Sequence, residues 1–256
     1  MNDCGMTAAS GNRTADWLLC VLQRLGHSVT PRTRVLEIGC GNGEMVNALR
    51  DRGIDAFGCD LQFKEGPRTS DLHEAGLLKL IERRPYRLPF DDASFDVLMS
   101  VSVLEHVMNM DDTIREMSRV TRANGGGLHM FPSRYRPTEP HTYVPLGTLL
   151  RTRWWLRIWA ALGTKNSYQT EMKGSEIAEA NYKYLRDSTS YLSRRSIEAA
   201  FQKEFPKITF CEHLFVSCGA GTLSNRLGLG KAMERSNLLT RLYSEARSRV
   251  IWVEKG

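Results

Sequence analysis

Residues 35–43, Val-Leu-Glu-Ile-Gly-Cys-Gly-Asn-Gly, restrict the possible folds of this chain more than any other stretch. Val35 to Ile38 predict a buried parallel strand, and a helix-like run, Glu44 to Arg52, follows directly after three alternate glycines. A strand, a glycine loop and a helix in this order form half of an α/β unit that binds a nucleotide. Glycine permits the tight turn and the close approach of a ligand. The alternative is a glycine-rich turn that holds no ligand.

The spacing G-x-G-x-G differs from two common phosphate-binding motifs. The dinucleotide pattern needs glycine at position 44, where this chain has Glu44, and no Lys-Ser/Thr pair follows to form a phosphate loop. An acid, Glu37, precedes the first glycine instead. The run Glu37 to Gly43 resembles the first motif of class I S-adenosylmethionine-dependent methyltransferases.

This resemblance implies a Rossmann-like α/β fold, with a doubly wound sheet of about seven strands and a helical lid or insertion after strand five. It also implies that S-adenosylmethionine is the cofactor, with its amino-acid end against Gly39, Cys40, Gly41 and Gly43 and its ammonium near Glu37. The cofactor carries an ammonium and a sulfonium but no pyrophosphate. A carboxylate therefore suits it better than a phosphate cradle.

A second acid extends the expected cofactor site. Asp60 follows the predicted strand Asp55 to Cys59, where α/β folds place a carboxylate on ribose hydroxyls. In the family that the chain resembles, the matching acid has this role, whereas the alternative is a solvated loop aspartate. Leu61, next to it, and the backbone near Ser100 complete the expected cofactor contacts.

Two further runs strengthen the resemblance, which has specific motifs over roughly residues 30–131. Leu88-Pro89-Phe90, leading through Phe95-Asp96-Val97 into the fourth strand, and then Leu104-Glu105-His106 are typical of one large branch of the family. Members often carry an aspartate near the adenine about four residues before L-P-F. This chain has Arg84 near that position, so we assign no adenine contact.

The six cysteines show neither a C-x-x-C pair nor metal-like clustering with histidine. We therefore predict small, buried, unpaired cysteines in a reducing cytoplasm, and no metal site. The first residues include Asp3 and show no apolar signal region, and no run of about 18 apolar residues is present to span a bilayer. Together these features predict a cytoplasmic location.

The net charge of +6 lies in one segment. Residues 132–195 contain eleven Lys/Arg and five Asp/Glu, so the rest of the chain is neutral. We predict a single domain with four parts: an N-terminal helical cap (1–30), the cofactor-binding half (31–131), an acceptor-binding insertion (132–192) and the C-terminal part of the core sheet (193–256). The positive insertion favours a small acceptor that bears a carboxylate or phosphate.

The insertion opens with four prolines in residues 132–145, which exclude a helix there. His141 and Glu139 in this loop could orient and deprotonate an acceptor hydroxyl, or could anchor the loop by a hydrogen bond. His106 follows the fourth strand at the end where open α/β sheets bind ligands. It could be the base, or it could pack beside the cofactor or in a supporting layer.

Residues 146–163 predict a helix rich in Trp and Arg. One side of this helix carries an apolar stripe, and Arg153 and Arg157 lie on the opposite side. The stripe is formed by Trp154, Trp155, Ile158, Trp159 and Leu162. The stripe could bury a lid helix on the core, touch an anionic membrane, or serve as a basic aromatic surface for nucleic acid. Residues 207–216 predict the sixth strand, and 223–246 predict two short helices.

These patterns predict an S-adenosylmethionine-dependent methyltransferase that acts on a small, acidic or phosphate-bearing acceptor, with O-methylation as the first choice. Glycan precursors, lipid-linked intermediates and secondary metabolites fit that description. The alternatives are a non-catalytic protein that keeps the fold and the cofactor, or a nucleic-acid methyltransferase. Peripheral membrane contact is a further possibility, and the oligomeric state stays open.

Overall fold

The computed structural model describes residues 8–219 and 228–256, without the side chains of residues 8–10. Nine strands occur in this part of the chain. They are β1 (Arg34–Ile38), β2 (Asp55–Asp60), β3 (Leu78–Leu80), β4 (Glu82–Arg83), β5 (Tyr86–Arg87), β6 (Phe95–Val101), β7 (Thr121–Pro132), β8 (Lys207–Phe210) and β9 (Ser248–Glu254).

Ten α-helices lie within the same described ranges. They are α1 (Ala8–Arg24), α2 (Glu44–Arg50), α3 (Thr69–Glu74), α4 (Met110–Val120), α5 (Arg153–Ala161), α6 (Gly174–Asp187), α7 (Arg194–Phe201), α8 (Glu212–Cys218), α9 (Leu229–Arg235) and α10 (Asn237–Ala246). Two short 3-10 turns, Leu104–His106 and Ser167–Gln169, connect other elements.

Seven strands form one twisted sheet in the order β3-β2-β1-β6-β7-β9-β8. The first five of these run parallel, and β9 lies antiparallel between β7 and β8. Strands β4 and β5 form a separate small hairpin. The predicted Rossmann-like sheet of about seven strands is therefore confirmed.

Helices cover both faces of the sheet because alternate strand residues point to opposite sides. Val35 belongs to a buried cluster that includes apolar residues of α1, α2 and α8. Leu36, the next residue of β1, belongs to a second cluster that includes apolar residues of α4 and α7. This two-sided burial places the carboxyl ends of the parallel strands at one open edge.

The helical insertion expected after the fifth strand of the sheet is present between β7 and α7. It consists of the Pro-rich loop, α5 and α6. The two helices pack on each other and share a small apolar core of their own, which is formed by Val144, Leu156, Ala160, Ile177, Ala178 and Leu185. The insertion thus has an internal framework that can hold its loop in place.

The prediction that all six cysteines are unpaired is wrong. Cys20 on α1 and Cys218 at the end of α8 form a disulfide, with Cα atoms 5.9 Å apart. The two residues are separated by 198 positions, so no local spacing reveals the pair; packing of α1 against α8 brings them together. Cys40, Cys59 and Cys211 are free and buried as predicted, while Cys4 lies outside the described residues.

The cytoplasmic location stays a prediction. Unpaired cysteines were one argument for it, and Cys20 and Cys218 are paired. Within residues 8–219 and 228–256, no helix has the length and apolar character needed to cross a membrane. Asp3 and the rest of the predicted leader-free N-terminus lie outside the described residues.

The predicted strand over residues 207–216 is too long. Strand β8 ends at Phe210, and α8 begins at Glu212. The reason is that Cys211, Leu214 and Cys218 recur at helical spacing and face the core or α1. Of the two helices predicted over 223–246, residues 223–227 lie outside the described chain, and α9 and α10 occupy the rest.

Candidate active site

The glycine loop joins β1 to α2 and is held by the end of β2. The backbone N–H groups of Gly39 and Cys40 donate to the carbonyl oxygen of Cys59 at 2.7 and 3.2 Å. The N–H of Gly41 donates to Oδ2 of Asp60 at 2.8 Å. The three predicted glycines have φ values of 76°, 55° and 77°, a region that disfavours side chains. Asp60 therefore also fixes the shape of the loop.

Glu37 is a buried carboxylate that precedes the loop at the end of β1. Burial, and then the charge of Asp60, raise the pKa of its carboxyl to about 8, while a hydrogen bond from the Val46 backbone lowers it. Within the described ranges, no residue hydrogen-bonds its Oε2 atom. A buried carboxylate is stable in its ionised form only beside a cation or several donors. An ammonium group therefore fits this position.

The other predicted cofactor residues differ in how far they are exposed. The Cys40 side chain is buried against β2 and the residue is 2% exposed, so its contact with a cofactor stays a prediction. Leu61 is 44% exposed and follows Asp60 at the rim. Ser100 is fully buried in β6, and its Oγ is bonded to Nδ1 of His129 at 2.9 Å. The Ser100 side chain is therefore committed inside the sheet, and the backbone contact near this residue stays a prediction.

Two imidazoles meet beside the glycine loop. His106 ends the 3-10 turn after β6, and His141 belongs to the Pro-rich loop; their ring centroids are 4.9 Å apart. The turn packs on the glycine loop, because a Cβ added to Gly39 would overlap the side chain of Val103. The structure thus brings together two predicted catalytic residues from distant parts of the chain and places them near the loop.

Fixed acceptors determine which ring nitrogens carry protons. The Nδ1 atom of His106 lies 2.8 Å from the carbonyl oxygen of Ser188, which can only accept a hydrogen bond. The Nδ1 atom of His141 lies 3.0 Å from Oε1 of Glu139. Both Nδ1 atoms therefore carry the proton, and in each neutral ring Nε2 keeps its lone pair. Partial desolvation of its ring lowers the pKa of His106, which favours this neutral form, while the residue keeps an exposed side.

Glu139 is fully buried behind His141 and accepts hydrogen bonds from several donors. These donors are the backbone N–H and Nδ1 of His141, the backbone N–H and Oγ1 of Thr142, and the hydroxyl of Tyr191. Despite the opposing effect of burial, these hydrogen bonds lower the pKa of its carboxyl to about 2. Glu139 therefore stays ionised at neutral pH and orients His141 from behind.

Glu105 is a third acidic group in this cluster, and its importance does not follow from its sequence position alone. Its side chain is 1% exposed, and burial raises the pKa of its carboxyl to about 7. In the described part of the chain, no other residue hydrogen-bonds either of its oxygens. The signal that could have identified it is the L-E-H run, in which Glu105 directly precedes His106.

Two other residues near the imidazoles, Tyr184 and Lys64, were not predicted from the sequence. The ring of Tyr184 lies 5.6 Å from that of His141 and 6.3 Å from that of His106. The Lys64 backbone N–H donates to the carbonyl of Gly41 at 3.1 Å, and its charge contributes to the lowered pKa of His106. These residues come from separate loops and helices, so no local motif links them.

Helix α5 does not bury the stripe that the spacing picks out. Its buried residues are Leu156 and Ala160, while Trp154, Ile158 and Leu162 are exposed. The partly buried members of the stripe, Trp155 and Trp159, pack at the edge of the insertion core. The reason is that α6 contacts the neighbouring face of α5. Membrane or nucleic-acid contact through the exposed face stays a prediction.

Known proteins are similar in sequence to the part of the chain that carries the glycine loop. Residues 36–128 match a family model described as "Methyltransferase domain". A ubiquinone biosynthesis O-methyltransferase of Azoarcus sp. is 30% identical over 128 residues, which are 48% of this chain and 53% of that protein. The chain spans about half the length of the curated relatives that it matches.

Solved structures match over nearly the whole chain. An S-adenosylmethionine-dependent methyltransferase from Mesorhizobium loti has a TM-score of 0.51 at 12% identity, covering 94% of this chain and 98% of that one. A phosphoethanolamine N-methyltransferase of Haemonchus contortus, solved with S-adenosylhomocysteine, has a TM-score of 0.51 at 14% identity, covering 99% of this chain and 58% of that one. At these identities the likeness shows the fold alone.

Proposed function

We propose that this chain is a class I S-adenosylmethionine-dependent methyltransferase that methylates a hydroxyl oxygen of a small acidic or phosphate-bearing acceptor. The observation that carries this proposal is the pair of imidazoles, His106 and His141, next to the glycine loop. A hydroxyl is a poor nucleophile until it loses its proton. Groups that can draw away this proton are needed for a hydroxyl acceptor and are unnecessary for a carboxylate acceptor.

The residues at the carboxyl ends of β1 and β2 would hold the cofactor. When bound, S-adenosylmethionine supplies a methyl group that its sulfonium makes electrophilic. Glu37 would pair with the ammonium, which removes the cost of an ionised carboxylate in a buried position. The glycine loop would accommodate the amino-acid end, and Asp60 would bond a ribose hydroxyl while holding the N–H of Gly41.

The acceptor hydroxyl would lie at the imidazole cluster. Nε2 of His106 and of His141 offers a lone pair there, because the Nδ1 proton of each ring is committed elsewhere. Glu139 would act as a positioning residue, since it is buried behind His141 and ionised. Alignment of the acceptor with the methyl group supplies the remaining rate enhancement.

Positive charges near the cluster support an acidic acceptor. Lys64 lies close enough to His106 to influence its pKa, and the charge of Arg136 lowers that of Glu105. Both side chains belong to loops at the carboxyl edge of the sheet. Attraction of an anionic group to these charges would orient the neighbouring hydroxyl toward the imidazoles.

A transfer assay with radiolabelled S-adenosylmethionine tests the proposal. The acceptor panel pairs hydroxylated aromatic and sugar acids with the esters of the same compounds, so that each pair differs only in charge. We expect O-methylated products from the acids, weaker activity on the esters, and a loss of at least about 100-fold in His106→Asn and His141→Asn. His73→Asn is the matched control, because His73 also bonds a backbone carbonyl through Nδ1. Equal activity in the cluster variants and the control would contradict the proposal.

A further inference from the structure

Three potential metal ligands converge at the imidazole cluster. Glu105, His106 and His141 each offer one ligand atom, and these atoms all lie within 4.8 Å of one another. It is the only such group of three among the residues that the structure describes. We propose that this triad binds a divalent transition-metal ion, preferably Zn²⁺.

The burial of Glu105 is the first independent reason. Its carboxylate has no hydrogen bond from another described residue, although the side chain is 1% exposed. A buried polar group without a partner is costly, and a buried charge without one costs more. A bound cation would give both oxygens a partner at once. It would also explain why an acid occupies a position where burial of an apolar side chain would cost less free energy.

The hydrogen bonds behind the two histidines are the second reason. Metal-binding imidazoles commonly donate their other N–H to a carboxylate or a backbone carbonyl, which fixes the ring and the tautomer. His141 donates to Glu139, and His106 donates to the carbonyl of Ser188. Tyr191 further holds the Glu139 carboxylate through a hydrogen bond of 2.5 Å. Both Nε2 atoms are thereby left free to bind a cation.

The donor set indicates which metal fits. Two imidazoles and one carboxylate suit Zn²⁺ and its transition-metal neighbours, whereas Mg²⁺ and Ca²⁺ favour oxygen ligands. Zinc with three protein ligands keeps a fourth position for water or substrate. Since Zn–N and Zn–O distances are about 2.0–2.2 Å, binding must draw the three ligand atoms closer together. The loop that carries His141 and the 3-10 turn that carries His106 are the elements that would adjust.

A metal bound to this triad would take part in the proposed methyl transfer. This catalytic role rests on the proposed function. The acceptor oxygen would occupy the open position, and the cation would lower the pKa of its hydroxyl. The proton would leave to water. The oxygen would then form a bond to the methyl carbon while the bond from that carbon to the sulfonium sulfur breaks and S-adenosylhomocysteine leaves. In the metal-loaded protein the two imidazoles would hold the cation and would not themselves receive the proton. Metal binding itself requires neither cofactor nor acceptor.

Titration of the untagged, metal-stripped chain tests the site directly. Zn²⁺ is added and followed by calorimetry, and Co²⁺ by its visible absorption, with Mg²⁺ as the comparison cation. We expect one equivalent of Zn²⁺ per chain and a Co²⁺ spectrum without thiolate charge transfer. Affinity should fall by more than about 100-fold in Glu105→Gln, His106→Asn and His141→Asn, and by about 10–100-fold in Glu139→Gln. His73→Asn should bind as the parent does.

Several results would overturn the proposal: no stoichiometric Zn²⁺ binding, thiolate bands in the Co²⁺ spectrum, or equal affinity in the triad variants and His73→Asn. Near-UV circular dichroism and the unfolding midpoint of each variant separate lost ligands from a lost fold. The two proposals fail in different ways. Stoichiometric metal binding without methyl transfer would remove the proposed function alone. Methyl transfer by a parent chain that binds no stoichiometric Zn²⁺ would remove the metal site alone.

Discussion

The substitution Gly39→Ala tests whether contact with the turn after β6 shapes the glycine loop. Gly39 has a φ of 76°, and an added Cβ would lie 3.2 Å from Cγ1 of Val103 and still closer to Cγ2. Gly53 provides a matched control, because its φ is 77° and nothing in the described chain lies within 4 Å of its added Cβ. The two alanine variants therefore share the backbone cost and differ in the overlap.

The two costs can be estimated separately. A residue with a side chain in the left-handed region costs about 1–2 kcal/mol, and overfilling a packed site adds about 1–3 kcal/mol. Gly53→Ala should thus lower the free energy of unfolding by about 1–2 kcal/mol, and Gly39→Ala by about 2–5 kcal/mol. The alanine effect on the unfolded chain is common to both variants and cancels in the difference.

Urea unfolding and calorimetric titration with S-adenosylmethionine measure these effects. We expect the overlap to displace the loop, so cofactor affinity should fall at least about tenfold in Gly39→Ala and stay unchanged in Gly53→Ala. The double variant Gly39→Ala/Val103→Ala should recover stability relative to the sum of its single variants, with a coupling of about 1–3 kcal/mol. Equal destabilisation in the two single alanine variants, or no coupling with Val103, would refute the reasoning.

Three further predictions concern buried charges and the disulfide. In the free protein the pKa of Glu37 is raised to about 8, so cofactor binding at pH 7 should release a proton from its carboxyl. The affinity for the cofactor should therefore rise about tenfold per pH unit up to about pH 8 and then level off. Calorimetry in buffers of different ionisation enthalpy measures both effects. Arg249→Ala removes the cation beside the buried Glu212 carboxylate, 3.6 Å away, and should lower the free energy of unfolding in urea by about 3–5 kcal/mol. Replacing Cys20 and Cys218 with serine opens a loop of 198 residues and should lower the free energy of unfolding by up to about 5 kcal/mol under oxidising conditions.

Each of these predictions has a control in the same chain. Glu37→Gln should abolish the proton release, and release that persists would show that another group titrates. Arg115→Ala breaks an exposed ion pair with Asp112 and should cost no more than about 1 kcal/mol; an equal cost at Arg249 would contradict the burial argument. A reducing agent should destabilise the parent and leave the double serine variant unchanged. An unchanged parent would mean that the disulfide contributes no stability.

The parts of the fold that could be predicted from the sequence are those set by local pattern. The run from Val35 to Gly43 combines a short strand, apolar except for Glu37, with glycines that the backbone requires at positive φ. Strand, loop and helix therefore follow from neighbouring residues. The sequence indicates His106 through the L-E-H run and His141 through the Pro-rich loop, each without reference to the other. Their proximity depends on how the insertion folds back over the sheet, and that is a property of long-range packing.

The features that could not be predicted depend on distant partners. Cys20 and Cys218 carry no spacing signal, and their pairing needs α1 and α8 side by side. The spacing does not give the buried face of α5, because the three tryptophans, Ile158 and Leu162 outweigh Leu156 and Ala160 in an apolar count. Contact with α6 decides which face is buried. Glu105 stands out only once it is known that its carboxylate is buried without a hydrogen bond from another described residue.

The position of β9 between β7 and β8 has a consequence for the order in which the sheet can assemble. β8 precedes β9 in the chain, yet in the finished sheet it pairs only with β9 among the described strands. A nascent chain can complete the five parallel strands from residues 34–132, but β8 must wait about 40 further residues for its neighbour. During that interval β7 presents an unpaired edge to other molecules. Substitutions that slow the docking of β9 should therefore promote aggregation before they alter the finished site.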